Sequence, residues 1–221
     1  GIALGDDRCR VSHRAQRRLG CQRKLPFCRS LLTQRTFAAA AEARGVRPIF
    51  GAELTLEDGC HLTLLVEGER GWRNLCTLIS RARMRMPKGE SSLPWADLEN
   101  HAEGLICLSG CRQGPVAAPL LRWDRAGAFR AAKHLRAIFG PERLWIELQH
   151  HLRKDDAALV DSLVSLAGHL QLGYVATNNV HYARRDGQPL QDVLTAICTR
   201  TPLEHLGAAR PGVVIGGHGE A

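Results

Sequence analysis

The chain has 221 residues, 44% of them hydrophobic and 24% charged, which is ordinary for a globular protein and ample for one domain with a real core. No apolar run reaches the ~18 residues that a membrane-spanning helix needs, and no charged-then-apolar leader opens the chain. The net charge of +8 suggests a polyanionic partner, but it is concentrated at one end: nine Lys and Arg up to Arg35 face only Asp6 and Asp7, giving +7 there and +1 for everything after.

Residues 1–35 have few aliphatic side chains and no clear period. Three readings compete for them: a basic arm for nucleic acid, a disordered tail, or a stretch translated out of frame. From Thr36 the pattern becomes regular. Phe37–Arg44 is a run of strong helix formers stopped by Gly45. Val46–Glu53 and Cys60–Glu67 read as strands. A helix is expected from Gly71 to about Met86, with Leu75, Leu78, Ile79 and Ala82 on one face. Leu93–His101 reads as a short helix, Leu105–Leu108 as a strand, and 116–122 and 126–139 as helices.

Leu144 begins a strand–helix–strand unit. LWIELQHH ends in Gln149, His150 and His151, and GYVATNNVHY ends in Asn178, Asn179 and His181. Between them, Leu159, Leu163, Leu166 and Leu170 recur at helical spacing, with Asp155 and Asp156 placed to favour the positive end of that helix. Gln188–Thr199 is a last helix, with Leu190, Val193, Leu194 and Ile197 expected inward. Past Pro202 the chain turns Gly-rich, so 36–207 reads as one α/β domain and 208–221 as an irregular tail. Strands alternating with helices point to a parallel α/β sheet or barrel. Neither GxGxxG nor GxxxxGK[ST] occurs.

In parallel α/β folds ligands gather at the C-terminal ends of the strands. Those ends carry Glu53, Cys111, His151 and His181. A carboxylate, a thiol and imidazoles at one rim suit a divalent transition metal, Zn or Mn, and two such ions close together activate water for phosphate hydrolysis. The competing reading makes each histidine a hydrogen-bonded structural residue and Cys111 a packed thiol. Arg81, Arg83, Arg85 and Lys88 are placed to touch a nucleic-acid backbone, or else form a solvated helix end. The eight Cys form no CxxC pair, which points away from a disulfide framework and towards a reducing, cytoplasmic setting.

Taken together, FAAAAEARGVRPIFGAELTL, HLTLLVEGERGWRNLCTLISRAR, EGLICLSGC, LWIELQHHL, YVATNNVHY and LQDVLTAI resemble the PHP (polymerase and histidinol phosphatase) domain of bacterial C-family DNA polymerases, nearest to the error-prone branch. The resemblance covers roughly Phe37 to Gly207. It implies a distorted (β/α)7 barrel with a metal cluster at its rim, Glu53, Cys111, His151 and His181 matching four of the family's ligand positions. Asn179 stands where the family has an Asp. Pro26-Phe27-Cys28 stands where a Thr-Asp-His motif belongs, and no HxH motif is present. An incomplete barrel, its first strand missing or aberrant, is therefore expected, with the marginal stability of an open edge. The resemblance implies DNA as partner through the rest of a polymerase chain, whose palm would hold Mg. The alternatives are a free-standing metal-dependent phosphoesterase of histidinol-phosphatase type and a non-enzymatic scaffold.

Overall fold

A computed structural model describes residues 38–45, 47–87, 90–178 and 185–206. Residues 1–35, the tail from 208, Lys88, Asn179 and His181 lie outside the described residues. Five strands form one sheet in the order β1 (Gly51–Thr55), β2 (His61–Val66), β3 (Leu105–Leu108), β4 (Leu144–Gln149) and β5 (Gly173–Thr177). The helices are α1 (Glu69–Met84), α2 (Trp95–Asn100), α3 (Ala117–Leu121), α4 (Arg125–Phe139), α5 (Asp156–His169) and α6 (Gln188–Thr199), after a short helical turn at 38–42. The α/β class expected from the sequence is what forms: among the described residues the sheet is open, with β1 and β5 at its edges.

The sheet is mixed rather than parallel throughout. β3, β4 and β5 run parallel, linked by the helical crossovers that parallel pairing requires. β2 runs antiparallel to both β1 and β3. The reason for the first reversal is local. Only Leu56–Cys60 separates β1 from β2, too short for a crossover. Asp58 accepts the Cys60 N–H at 2.9 Å, Gly59 adopts φ +80°, and Leu56 N–H closes the turn onto Cys60 O at 2.8 Å. Among the described residues β1 begins at Gly51, past Pro48, which has no N–H to give a ladder.

Alternation along the strands divides the sheet into two faces. Leu62 and Leu64 of β2, Leu105 and Cys107 of β3, and Leu144 and Ile146 of β4 are fully buried among the helices. Each such leucine or isoleucine contributes about 1.5–3 kcal/mol of burial. α1 meets this face through Leu75, Leu78, Ile79 and Ala82, the stripe its spacing predicts. Its first turn comes so close to the next loop that a Cβ on Gly71 would sit 1.8 Å from Gly104 O. The register sets Glu53 opposite Thr63, and Glu147 and Gln149 opposite Val175 and Thr177, on the other face.

The last helix departs from expectation. Leu190 and Ile197 are 66% and 67% exposed, and Val193 and Leu194 are also exposed. The period is amphipathic as read, but the main neighbours of α6 are the 3-10 turns Arg185–Gly187 and Leu203–His205 that flank it. A helical stripe gives the direction of an apolar face and not whether an element is there to receive it.

Candidate metal centre

Because β2 is reversed, its first residue lies at the rim where the other strands end. His61 is paired with Thr55, the last residue of β1, and its Nδ1 lies 3.4 Å from Glu53 Oε1. Cys111 follows β3 on a loop in which Gly110 takes φ +89°, and a Cβ on that glycine would sit 2.1 Å from His61 O. The close approach brings Cys111 Sγ to 3.9 Å from His61 Nδ1, while His61 N–H donates to Gln113 O at 3.0 Å. One carboxylate oxygen of Glu53, one ring nitrogen of His61 and the Cys111 sulfur all lie within 4.8 Å of one another. Cys111 is buried, and the His61 and Glu53 side chains are only 14% and 29% exposed. A carboxylate, an imidazole and a thiol converging in partial shelter can hold a metal ion, so the residues present fit one.

Glu53 and Cys111 were expected here from the sequence. His61 was not, because a search of C-terminal strand ends overlooks a residue at the start of an antiparallel strand. The sign that could have found it was the shortness of the loop between Thr55 and His61. His151 stands outside the group of three. It follows β4 with its ring half-buried, and both ring nitrogens are shielded from solvent without a hydrogen-bond partner among the described residues. Burial lowers its pKa, against the pull of Asp156, so the ring is neutral at physiological pH, the form that binds metal.

A second polar cluster occupies the same face of β4. Glu147 is 3% exposed, and its Oε1 accepts from Thr177 Oγ1 at 2.5 Å and Gln149 Nε2 at 3.0 Å. Glu147 Oε2 and Gln149 Oε1 are buried, with no well-formed hydrogen bond among the described residues, and the Gly110 backbone N–H lies close enough to the Glu147 carboxylate to lower its pKa. Burial raises the Glu147 pKa and the nearby Glu53 charge adds to it, while the bonds from Thr177 and Gln149 oppose the rise. Cys107 points to the helix side of the sheet, where burial pushes its thiol well above the ordinary range. Cys60, Cys76 and Cys107 are free thiols.

The arginines of α1 are placed differently. Arg81 and Arg85 each donate to Asp97 of α2, at 2.7 Å, one to each carboxylate oxygen. Asp97 is buried, and the Arg81 hydrogen bond foremost holds its carboxyl below the usual range. Arg83 is on α1 as well, and does not share that carboxylate.

Among relatives, the chain is 36% identical over 191 residues to the error-prone DNA polymerase of Symbiobacterium thermophilum, covering 79% of this chain and 18% of that protein. It is 37% identical over 169 residues to the error-prone DNA polymerase of Pseudomonas aeruginosa, covering 76% of this chain and 15% of that one. It is 33% identical over 182 residues to the DNA polymerase III subunit alpha of Treponema pallidum, covering 74% and 15%. The chain thus spans less than a fifth of the length of these relatives. Residues 27–151, more than half of the chain, match the PHP domain model. On that match the chain belongs to the PHP domain family.

Proposed function

We propose that this chain is the metal-holding PHP portion of an error-prone DNA polymerase, with Glu53, His61 and Cys111 as the core of the ion's ligand set and His151 and His181 as further donors. The convergence of three donors within 4.8 Å carries the reading. The relatives, named as error-prone polymerases and a polymerase III alpha subunit, support the polymerase setting. A thiol and an imidazole favour Zn over Mn among the metals considered, because softer ligands select it. A bound divalent ion of this kind supplies Lewis acidity towards a phosphoryl oxygen or a bound water.

The chain's own residues do the holding. Glu53 contributes negative charge, His61 is oriented by its place at the start of β2, and the Gly110 turn delivers Cys111. Asn179, uncharged where the family has an Asp, leaves the site one negative charge poorer. DNA is contacted in the setting of the longer polymerase, whose palm holds the catalytic Mg. The chain by itself holds metal in a cytoplasmic setting without incorporating nucleotides, in damage-tolerant synthesis by the parent enzyme.

Metal analysis of the purified chain after Zn loading tests this. Bound Zn that is lost in both Cys111→Ser and His61→Ala, with no nucleotide incorporation by the chain, is the expected result. Turnover of small phosphate esters abolished by the same variants would replace this reading with a free-standing phosphoesterase. A chain that holds no Zn and turns nothing over would leave a scaffold.

A further inference from the structure

Asp156 opens α5, yet its carboxylate turns back onto the loops before it. Its Oδ2 accepts the N–H of His151 at 2.6 Å and that of Arg153 at 3.0 Å. Its Oδ1 accepts Arg112 Nη1 at 2.7 Å, and the same guanidinium reaches Asp155 through Nη2. The carboxylate is 1% exposed, so both oxygens are used and water competes for neither. Arg112 directly follows Cys111 in the loop after β3, and His151 lies in the loop after β4. One partly buried ion pair therefore joins the loop that carries the thiol to the loop that carries the imidazole.

The His61 N–H bond to Gln113 O continues the connection to the start of β2. His61, Cys111 and His151 come from three different elements, and these bonds tie the three segments together. The ring held at the far end of this linkage is the one whose two buried nitrogens lack a partner among the described residues. An imidazole held in place by its own backbone while both nitrogens stay unsatisfied is prepared for a ligand, since burying such donors and acceptors unpaired is costly.

We propose that Asp156, through Arg112, is a positioning residue that fixes His151 relative to Cys111 and so completes the donor set of the rim metal site. This rests on the metal-holding reading above. Groups that orient ligands from behind weaken metal affinity about 10–100-fold when lost.

Co2+ titration of the metal-free chain tests it, because cobalt reports thiolate ligation and coordination geometry separately. Asp156→Asn and Arg112→Gln are each expected to weaken Co2+ binding by about 10-fold or more. Both should alter the ligand-field bands, keep the thiolate-to-cobalt charge-transfer band, and leave the circular dichroism unchanged. His151→Ala should give the same altered spectrum, and Arg112→Lys should recover part of the affinity. Wild-type affinity and spectrum in both folded variants would overturn the proposal. If Asp156→Asn does not fold, Arg112→Gln decides alone, since it leaves the carboxylate's bonds to His151 and Arg153 in place. A wild-type chain with no thiolate-to-cobalt band would instead overturn the metal reading itself.

Discussion

Thr177 on β5 donates its hydroxyl to Glu147 on β4 at 2.5 Å, joining the two parallel strands on the face that also carries Glu53. The bond holds a carboxyl whose pKa burial raises above its ordinary 4.5. Between that value and the raised one, the folded chain binds more protons than the unfolded chain. Glu147 therefore costs stability progressively as pH rises through this window, and the cost is complete above the folded pKa. Glu147→Gln is expected to flatten the dependence and to raise the melting temperature relative to wild type at the alkaline end. Thermal melts from about pH 4 to about pH 8 check it, and an unchanged pH profile would refute it.

Asp97 has the opposite sign. Its folded pKa is depressed, with the Arg81 hydrogen bond the largest cause, so the stability it contributes is present above 3.8 and is lost as pH falls through the folded value. Arg81 and Arg85 are each about half exposed, which screens the pairs. Asp97→Asn should cost about 2 kcal/mol in urea unfolding at neutral pH, from two charge-assisted bonds, and much less in acid.

Gly71 is constrained by the backbone across from it. Any side chain there meets Gly104 O, and Gly104 itself holds φ +72° against the start of α1. Gly71→Ala should force α1 off the loop before β3, with a loss of about 1–3 kcal/mol read by urea unfolding. A variant as stable as wild type would mean that α1 can shift without disturbing Leu75 and Leu78.

The exposed apolar stripe on α6 leads to the reverse outcome. Ile197→Lys and Leu190→Glu remove side chains about two-thirds exposed, so each should leave the unfolding free energy within about 0.5 kcal/mol. Their effect belongs to solubility, measured as the concentration at which light scattering rises. A large loss of stability would show the helix to be packed.

The sequence was legible where a pattern speaks for a local event. Leu105–Leu108 and Gln188–Thr199 have the bounds their composition indicates, and α1 buries the four side chains its period selects. Strand direction was less accessible. Alternating strands and helices suggest parallel pairing throughout, whereas the short turn at Asp58 and Gly59 reverses β2 and brings His61 to the rim. The ion pairs of Arg81 and Arg85 are made with Asp97, a carboxylate on another helix that spacing alone does not bring near them. His151 illustrates the limit from another side: its identity was readable, but the backbone bond to Asp156 is a tertiary fact.

The turn between β1 and β2 also sets an order of assembly. Glu53 and His61 belong to one hairpin, a unit that closes in about 1–10 μs. Cys111 lies 50 residues further on than His61 and arrives only once β3 has docked. Two of the three donors can therefore meet while most of the chain is still unfolded, and the thiol joins them later.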